Sequence, residues 1–222
     1  MSTPRRSKTT CFICGRDYCV WFWDSINLEQ HPSASEKLKS GEVFTRSCPF
    51  CGVRSKEPYP VACYDMSKGV LFQLRTAENP ERFFHLEEQM DDGMRLCFVY
   101  SIEDLAEKVL ALQNGRDDRI VEMCKYWHII KLAIRLPQFE VVRYYYDVED
   151  GKEVIIGIDR NGCRETEVFP DKDYQLFDKA FGTLLPLDKG RHNFYDTEWA
   201  DSFIHEHGDL FRQTFNNEKT EI

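Results

Sequence analysis

Cys11-Phe-Ile-Cys14-Gly15 and Cys48-Pro-Phe-Cys51-Gly52 are the two stretches that decide how the front of this chain folds. Each is a Cys-x-x-Cys pair followed by glycine, a spacing that lets both sulfurs face one ion from a tight turn. Four thiolates in two such pairs are the usual tetrahedral ligand set of a structural zinc ion. We therefore predict one structural Zn²⁺ held by Cys11, Cys14, Cys48 and Cys51.

We call these two turns the first knuckle and the second knuckle. The interval between them is long. It contains 33 residues between Cys14 and Cys48, whereas a common zinc ribbon has roughly 15–20. An extra element must therefore fit between the knuckles. The sequence predicts a strand over 17–28, a short helix that Ser35 caps and Gly41 ends, and a strand over 42–47 that enters the second knuckle.

Two other interpretations of the four cysteines stay open at this point. A thioredoxin-type redox motif is expected once, at a strand-to-helix junction, whereas this chain has two motifs. A disulfide framework needs an oxidising compartment, and nothing in the sequence indicates one. A Cys₄ shell leaves no coordination position for water, which argues against catalysis at the metal. Cys19 and His31 are spare candidate ligands; we interpret Cys19 as buried among aromatic residues and His31 as a solvent-side loop residue.

Composition places the chain among packed globular proteins. Of its 222 residues 42% are hydrophobic, with 16 Phe and 10 Tyr, and no apolar run reaches the length of a membrane span. The first ten residues are polar and do not resemble a secretory signal. Nine cysteines, five of them scattered singly outside the knuckles, are typical of reduced thiols. We therefore expect a cytoplasmic protein without membrane contact.

The net charge of −9 is unevenly distributed. Residues 1–60 carry nine Lys and Arg against six Asp and Glu, so the rest of the chain is strongly acidic. Because neutralisation of phosphates dominates nucleic-acid affinity, this balance disfavours a nucleic-acid partner without excluding a small contact near the amino terminus.

Along the chain the pattern predicts an α+β fold in two domains. A zinc-ribbon-like amino-terminal domain over 9–137 combines a small antiparallel sheet with a helix hairpin, and a β-meander with a helical tail follows over 138–222. Residues 1–8 are predicted to lack structure. The other predicted strands are 61–65, 70–74, 94–100, 140–148, 153–158 and 163–169, and the predicted helices are 78–89, 102–113, 118–136, 173–182 and 197–206.

The amino-terminal part resembles the CpXC domain, a bacterial family named for its paired cysteine motifs. Besides the two knuckles, the resemblance rests on short stretches between about residue 9 and residue 131. They are Ser25-Ile26-Asn27, Ser40-Gly41-Glu42, Tyr64-Asp65, Glu107-Lys108, and Asp117 to Glu122 with Lys125. The resemblance implies zinc held by Cys11, Cys14, Cys48 and Cys51, and it implies no particular reaction.

Other residues that could carry chemistry have simpler structural explanations. Asp117 and Asp118 fit a helix cap and a partner of the helix dipole better than a cation site. His205 and His207 are two apart, so they do not share a helix face. We interpret His128 as a core-edge histidine and Cys63, Cys97 and Cys124 as inert buried thiols. Glu107 and Glu122 could approach each other across the helix hairpin without defining an acid–base pair.

Three functions are compatible with these observations. The first is a non-catalytic interaction or regulatory module with a protein partner, built on the zinc site. The aromatic stretch 18–23 supports it if those side chains are exposed, but we predict that they belong to the core. The second is nucleic-acid binding through basic residues of the ribbon, namely Arg5, Arg6, Lys8, Arg16 and Arg54. The third is an enzyme with a site between the two domains. The sequence leaves open whether any reaction is catalysed.

Overall fold

The structure is a computed structural model that describes residues 2–76, 94–185 and 194–213. It contains both helices and sheets, and the predicted α+β class is confirmed. The described residues form two compact units, which divide between Leu110 and Ala111. The predicted domain boundary at residue 137 stays a prediction, and the predicted helix over 78–89 lies outside the described residues.

The first unit is built mainly of strands. A single 3₁₀ turn over Glu42–Phe44 precedes its third strand. The elements are β1 (Thr3–Thr10), β2 (Asp17–Asn27), α1 (Ala34–Ser40), β3 (Thr45–Ser47), β4 (Arg54–Lys56), β5 (Val61–Asp65), β6 (Val70–Leu74) and β7 (Arg95–Val99), and the helix α2 (Ile102–Gln113) begins in this unit.

A five-stranded sheet in the order β1-β2-β5-β6-β7 forms the body of the first unit. The predicted antiparallel pair β5–β6 is confirmed, whereas β2 runs parallel to β5 and β6 runs parallel to β7. Strands β6 and β7 are buried along their whole length because both faces are covered. One part of this core is made by Ala62, Leu71, Met94, Leu96 and Phe98.

The prediction that residues 1–8 lack structure is wrong from Thr3 onward. These residues form β1, which pairs antiparallel with β2 along its whole length. Cross-strand ion pairs support the pairing, because Arg5 lies 3.0 Å from Asp24 and Lys8 lies 2.7 Å from Asp17. A polar segment becomes a strand here because β2 provides the backbone partner, not because of its own composition.

The prediction that the aromatic stretch of β2 belongs to the core is wrong for Trp21, whereas Val20 is buried and Phe22 and Trp23 are half-buried. Trp21 is 66% exposed, and Cys19, which was expected to be buried among aromatics, is exposed too. The cause is the register: β5 pairs only with the last residues of β2, from Ser25 to Asn27. The first half of β2 therefore extends beyond β5, with β1 as its strand neighbour.

The second unit contains the predicted meander and the remaining helices. Its three-stranded antiparallel sheet has the order β10-β9-β8, and the tight turns predicted at Asp150-Gly151 and Asn161-Gly162 connect its strands. Tyr146, Phe177 and Phe181 are among its largest buried side chains. The elements are α3 (Asp118–Arg135), β8 (Val141–Glu149), β9 (Lys152–Asp159), β10 (Arg164–Val168), α4 (Asp171–Phe181) and α5 (Thr197–Glu206).

Both helices of the predicted hairpin, α2 and α3, begin at the predicted caps. The amide of Asp104 donates to Ser101 Oγ at 3.0 Å, and the amide of Arg119 donates to Asp117 Oδ1 at 2.9 Å. Gly115 adopts a positive φ of 76° at the end of α2, as a glycine stop signal predicts. The packing of the two helices on each other stays a prediction.

Arg116 connects β9 and α4 of the second unit through hydrogen bonds, and its substitution tests how much these bonds stabilise the unit. Its guanidinium group donates to both oxygens of Glu153, at 2.9 and 3.2 Å, and to Asp171 at 2.5 Å, and it lies over the Phe169 ring at 4.9 Å. Arg116→Lys keeps the charge but loses the planar fork, so we expect a loss of about 2 kcal/mol in the free energy of unfolding. Urea denaturation followed by circular dichroism would measure the loss.

The control for this prediction is Arg160→Lys. Arg160 lies 3.3 Å from Glu140, but its side chain is 75% exposed, and pairs of this kind contribute less than about 1 kcal/mol. Equal losses in the two variants would show that the fork of Arg116 contributes nothing beyond a surface ion pair.

Among the described helices, none is both long enough and apolar enough to cross a bilayer.

Candidate metal centre

Each knuckle is the turn of a β-hairpin. The first connects β1 to β2, and the second connects the three-residue strands β3 and β4. The two turns repeat the same backbone hydrogen bonds. The amide of Cys11 donates to Arg16 O and that of Cys48 to Val53 O, and each following glycine amide donates to the carbonyl of the first cysteine, all four at 2.9 Å.

The glycines permit this geometry, because Gly15 and Gly52 have φ values of 68° and 73°. Side chains with a Cβ rarely adopt that left-handed region. The repeated Cys-x-x-Cys-Gly pattern thus indicates two copies of one turn, and the structure contains two. Their local similarity is what allows two hairpins to present equivalent pairs of sulfur atoms.

The structure brings the four predicted sulfur atoms together. Cys11 Sγ lies 3.6 Å from Cys51 Sγ, Cys14 Sγ lies 3.7 Å from Cys48 Sγ, and all four lie within 4.8 Å of one another. Four sulfurs at 2.3 Å from a zinc ion at tetrahedral corners would stand ~3.8 Å apart. A disulfide needs about 2 Å, and none joins any of the nine cysteines. The cluster could therefore bind a metal ion.

The electrostatics of the cluster favour a bound cation. The backbone amide of Cys14, which donates to Cys11 Sγ at 3.5 Å, is the main cause that lowers the pKa of the Cys11 thiol to about 6. The amide of Val53 lowers the pKa of Cys51, but burial and the neighbouring thiols together raise it to about 12. Thiolates this close repel one another, so they cannot all ionise without a positive charge among them.

An aromatic cluster between β2 and the second hairpin fixes the position of that hairpin relative to β2. Phe44 is fully buried, and its ring lies 5.2 Å from that of Tyr59, which in turn lies 5.0 Å from that of Phe22. The Tyr59 hydroxyl donates to Val43 O at 3.0 Å and accepts from the amide of Trp23 at 3.2 Å. The base of the second hairpin is thereby fastened to the strand that leaves the first knuckle.

Comparison with family models gives a match to the model described as CpXC protein over residues 9–125, more than half of the chain. The chain belongs to the CpXC family. Comparison with curated proteins gave no significant match, and neither did comparison with solved structures.

Several CpXC residues outside the knuckles have structural roles in the first unit. Asn27 Oδ1 accepts from the amides of Glu29 and Gln30, at 2.9 and 3.3 Å, and so shapes the turn after β2. Asp65 Oδ1 accepts from Ser67 Oγ at 2.7 Å and from the amide of Lys68 at 3.0 Å in the turn after β5. These residues set the turns of the sheet and do not contact the cysteines.

Gly41, another CpXC residue, ends α1 with a φ of 73°. A Cβ at this position would meet only the flexible end of the Lys56 side chain, so the left-handed backbone is the reason that the chain needs glycine there. The predicted helix stop is confirmed. The cap residue at the start of α1 is Ser33, not the predicted Ser35, which is buried.

The matching CpXC residues of α3 include a buried ion pair. Lys125 Nζ lies 3.0 Å from a carboxylate oxygen of Glu122, and both side chains are 6% exposed. Such a pair is costly to break, because either partner alone would be an unpaired buried charge. Glu107, on α2, is also buried, and its predicted approach to Glu122 stays a prediction.

The other predicted candidates do not join the cysteine cluster. Within the described residues the four cysteines are the one group of His, Cys, Asp and Glu side chains that could hold an ion, so Cys19, His31, His205 and His207 lie outside it. The ring of His31 packs edge-on against that of Trp23 at 5.6 Å. Cys63, Cys97 and Cys124 are buried, and burial raises the pKa of the Cys63 thiol to about 12, which agrees with an inert role.

One contact beside the cysteines is not indicated by the sequence pattern. The guanidinium of Arg16, directly after the first knuckle, lies over the ring of Phe50 in the second, 5.2 Å from its centroid. No pattern within either knuckle indicates this contact, because the residues are 34 positions apart and meet only when the hairpins face each other. An arginine directly after one knuckle and an aromatic residue inside the other would be the signal to seek in similar chains.

His128, predicted as a core-edge histidine, is 4% exposed, and its Nδ1 lies 3.0 Å from Glu167 Oε2. Burial is the main cause that lowers its pKa, and Glu167 opposes the effect. The other charged groups that face it are Arg135, Lys131 and Asp173. Its Nε2 is buried and has no hydrogen-bond partner among the described residues. Protonation of the folded protein at this ring is therefore unfavourable.

We expect acid to destabilise the second unit through His128. Above about pH 6.5, the usual pKa of histidine, the ring is neutral in both the folded and the unfolded chain. As the pH falls below that value, the unfolded chain takes up a proton that the folded chain resists, so stability decreases until the lowered folded pKa is reached. The urea midpoint should therefore fall between pH 6.5 and pH 5, and His128→Gln should flatten that slope.

His205→Gln is the matched control, because the His205 side chain is 74% exposed. It should leave the pH dependence of the urea midpoint as in the wild type. A slope that survives in His128→Gln would show that other groups cause it.

Proposed function

We propose that Cys11, Cys14, Cys48 and Cys51 hold one structural Zn²⁺ and that the first unit is a zinc-ribbon-like, non-catalytic interaction or regulatory module. The observation that carries this proposal is the spacing of the sulfurs. Two of the sulfur pairs are separated by 3.6 and 3.7 Å, near the ~3.8 Å of a four-sulfur zinc tetrahedron.

The chemistry of the donor set supports zinc and a structural role. Thiolate ligands in a tetrahedral arrangement select zinc or iron–sulfur chemistry over magnesium, calcium or manganese, and Cys₄ zinc sites are closed shells. When bound, the ion would supply folding energy and charge neutralisation. The chain's own residues orient the sulfurs: the two glycines shape the turns, and the amide of Cys14 donates to the Cys11 sulfur.

A cytoplasmic setting and a protein partner complete the proposal. Free thiols throughout the chain are compatible with a reducing compartment. The first unit also leaves several large apolar side chains exposed, among them Phe12, Ile13 and Trp21. Exposed apolar side chains that lie together are typical of a surface that contacts another protein.

The test is the metal content of the full chain, purified from cells without added metal. Native mass spectrometry and elemental analysis should show one zinc per chain. Replacement by Co²⁺ should give the absorption bands of a tetrahedral four-thiolate site, and Cys14→Ser should alter them. Iron with labile sulfide, or an absence of metal with intact folding, would overturn the proposal.

A further inference from the structure

The residues between the two cysteines of each knuckle are exposed. Phe12 is 68% exposed, Ile13 63% and Phe50 52%. Together with Pro49 and Arg16 they form what we call the knuckle tip. Single exposed apolar residues are ordinary on protein surfaces, whereas a contiguous apolar patch with a polar rim marks a site of interaction.

The two backbone segments that carry these side chains lie close together, because the sulfurs that flank them do. Phe12 and Ile13 are enclosed between Cys11 and Cys14 in sequence, and the four sulfurs lie within 4.8 Å of one another. The contact of Arg16 with the Phe50 ring, at 5.2 Å, bridges the two knuckles. The tip is therefore a single surface built from both hairpins.

The charge around the knuckle tip is positive. The segments 8–18 and 45–57 contain five basic residues and two acidic ones. Both acids, Asp17 and Glu57, already lie 2.7 Å from a basic side chain. What these segments offer to a partner is therefore positive charge.

Two arginines of these segments are available to a partner. Arg16 and Arg54 are exposed, and neither has a carboxylate partner among the described residues. Arg54 stands directly opposite Ser47 in the second hairpin, one residue before Cys48, which places it at the base of the second knuckle. Aromatic residues and arginine are the types that most often dominate binding energy at protein interfaces.

We propose, on the basis of the function proposed above, that the knuckle tip is a docking site for an acidic segment of a partner protein that also carries apolar side chains. The apolar side chains of the segment would pack on Phe12, Ile13 and Phe50. Its carboxylates would pair with Arg16 and Arg54, since these groups have complementary charge.

The composition of the tip favours this partner over a single-stranded nucleic acid. Bases stack on aromatic rings, whereas Ile13 and Pro49 offer no such ring. The chain as a whole carries a net charge of −9, which repels a polyphosphate more strongly than a short acidic peptide. Carboxylates on a segment with its own apolar anchors match both the positive charge and the apolar side chains of the tip.

The experiment is a selection of displayed 12-residue random peptides on the full, metal-loaded chain. We expect enrichment of sequences that combine Asp or Glu with Phe, Leu or Trp. The most enriched peptide, made synthetically with a fluorescent label, serves as the probe in anisotropy titrations. Ile13→Ser with Phe50→Ser, and separately Arg16→Glu with Arg54→Glu, should each weaken its binding by about tenfold or more.

Met66→Ser is the matched control, because Met66 is 50% exposed in the turn between β5 and β6 and lies outside the tip. It should leave binding unchanged. Selection of basic peptides or of none would overturn the docking site, and so would equal losses of binding in the control and the tip variants. It would also be overturned if oligo(dT) bound more tightly than the selected peptide and the tip variants abolished that binding. Zinc content is measured on every variant, so that a wild-type chain without zinc contradicts the proposed function and a zinc-loaded chain without peptide binding contradicts only the docking site.

Discussion

Cys48→Ser is expected to lose the metal and to unfold much of residues 9–66. Cys48 is 2% exposed, and its sulfur is one of the four in the cluster, 3.7 Å from that of Cys14. Structural zinc contributes on the order of 10–16 kcal/mol in small sites, comparable to the entire stability of many domains. Serine cannot replace a thiolate ligand, so the two hairpins would lose the ion that we propose joins them.

The measurements for this variant are zinc content by elemental analysis and limited proteolysis read by mass spectrometry. Cleavage should concentrate within residues 9–66, whereas the meander of the second unit should stay protected. Cys19→Ser is the matched control: Cys19 is exposed on β2 and lies outside the cluster, so its zinc content and protection should equal those of the wild type. A Cys48→Ser protein with one zinc and an unchanged cleavage pattern would contradict the assignment.

What could be predicted from the sequence follows from local chemistry. The knuckles were predictable because the Cys-x-x-Cys-Gly spacing favours a tight turn. In such a turn both sulfurs can face one ion, and the glycine permits the left-handed backbone. The meander was predictable because Asp150-Gly151 and Asn161-Gly162 need left-handed backbone conformations, and Asp150 and both glycines adopt positive φ. The helix starts at Ser101 and Asp117 were predictable because the side chain of each cap residue accepts a hydrogen bond from a backbone amide of the first turn.

What could not be predicted depends on partners that are distant in the sequence. The strand β1 has no apolar alternation of its own and forms because β2 accepts it. Trp21 is exposed because β5 pairs with three residues of β2 and no more, a register that the aromatic stretch itself does not encode. The contact between Arg16 and Phe50 likewise needs both hairpins in place. Local patterns thus specify turns and caps, whereas sheet order and surface exposure arise from tertiary pairing.

Phe44→Ala is expected to weaken zinc binding without touching a ligand. Phe44 is fully buried in the 3₁₀ turn before β3, where its ring packs on that of Tyr59. Its carbonyl also accepts from the amide of Glu57 at 3.2 Å, just beyond β4. Truncation of a buried phenylalanine costs about 3–5 kcal/mol, and here the cavity would open at the base of the second hairpin. The sulfurs of the second knuckle would then be held less firmly toward those of the first.

Two measurements separate this effect from a general loss of stability. Urea denaturation gives the free energy of unfolding, and competition with a chromophoric chelator gives the zinc affinity at a urea concentration where the variant is still folded. If the chain binds zinc as we propose, the ion favours the folded state, so excess zinc should restore part of the lost stability. Phe12→Ala is the matched control, since Phe12 is 68% exposed and directly follows Cys11, yet it should change neither quantity appreciably. If Phe44→Ala loses stability but keeps the wild-type zinc affinity, the aromatic cluster stabilises the fold without positioning the metal centre.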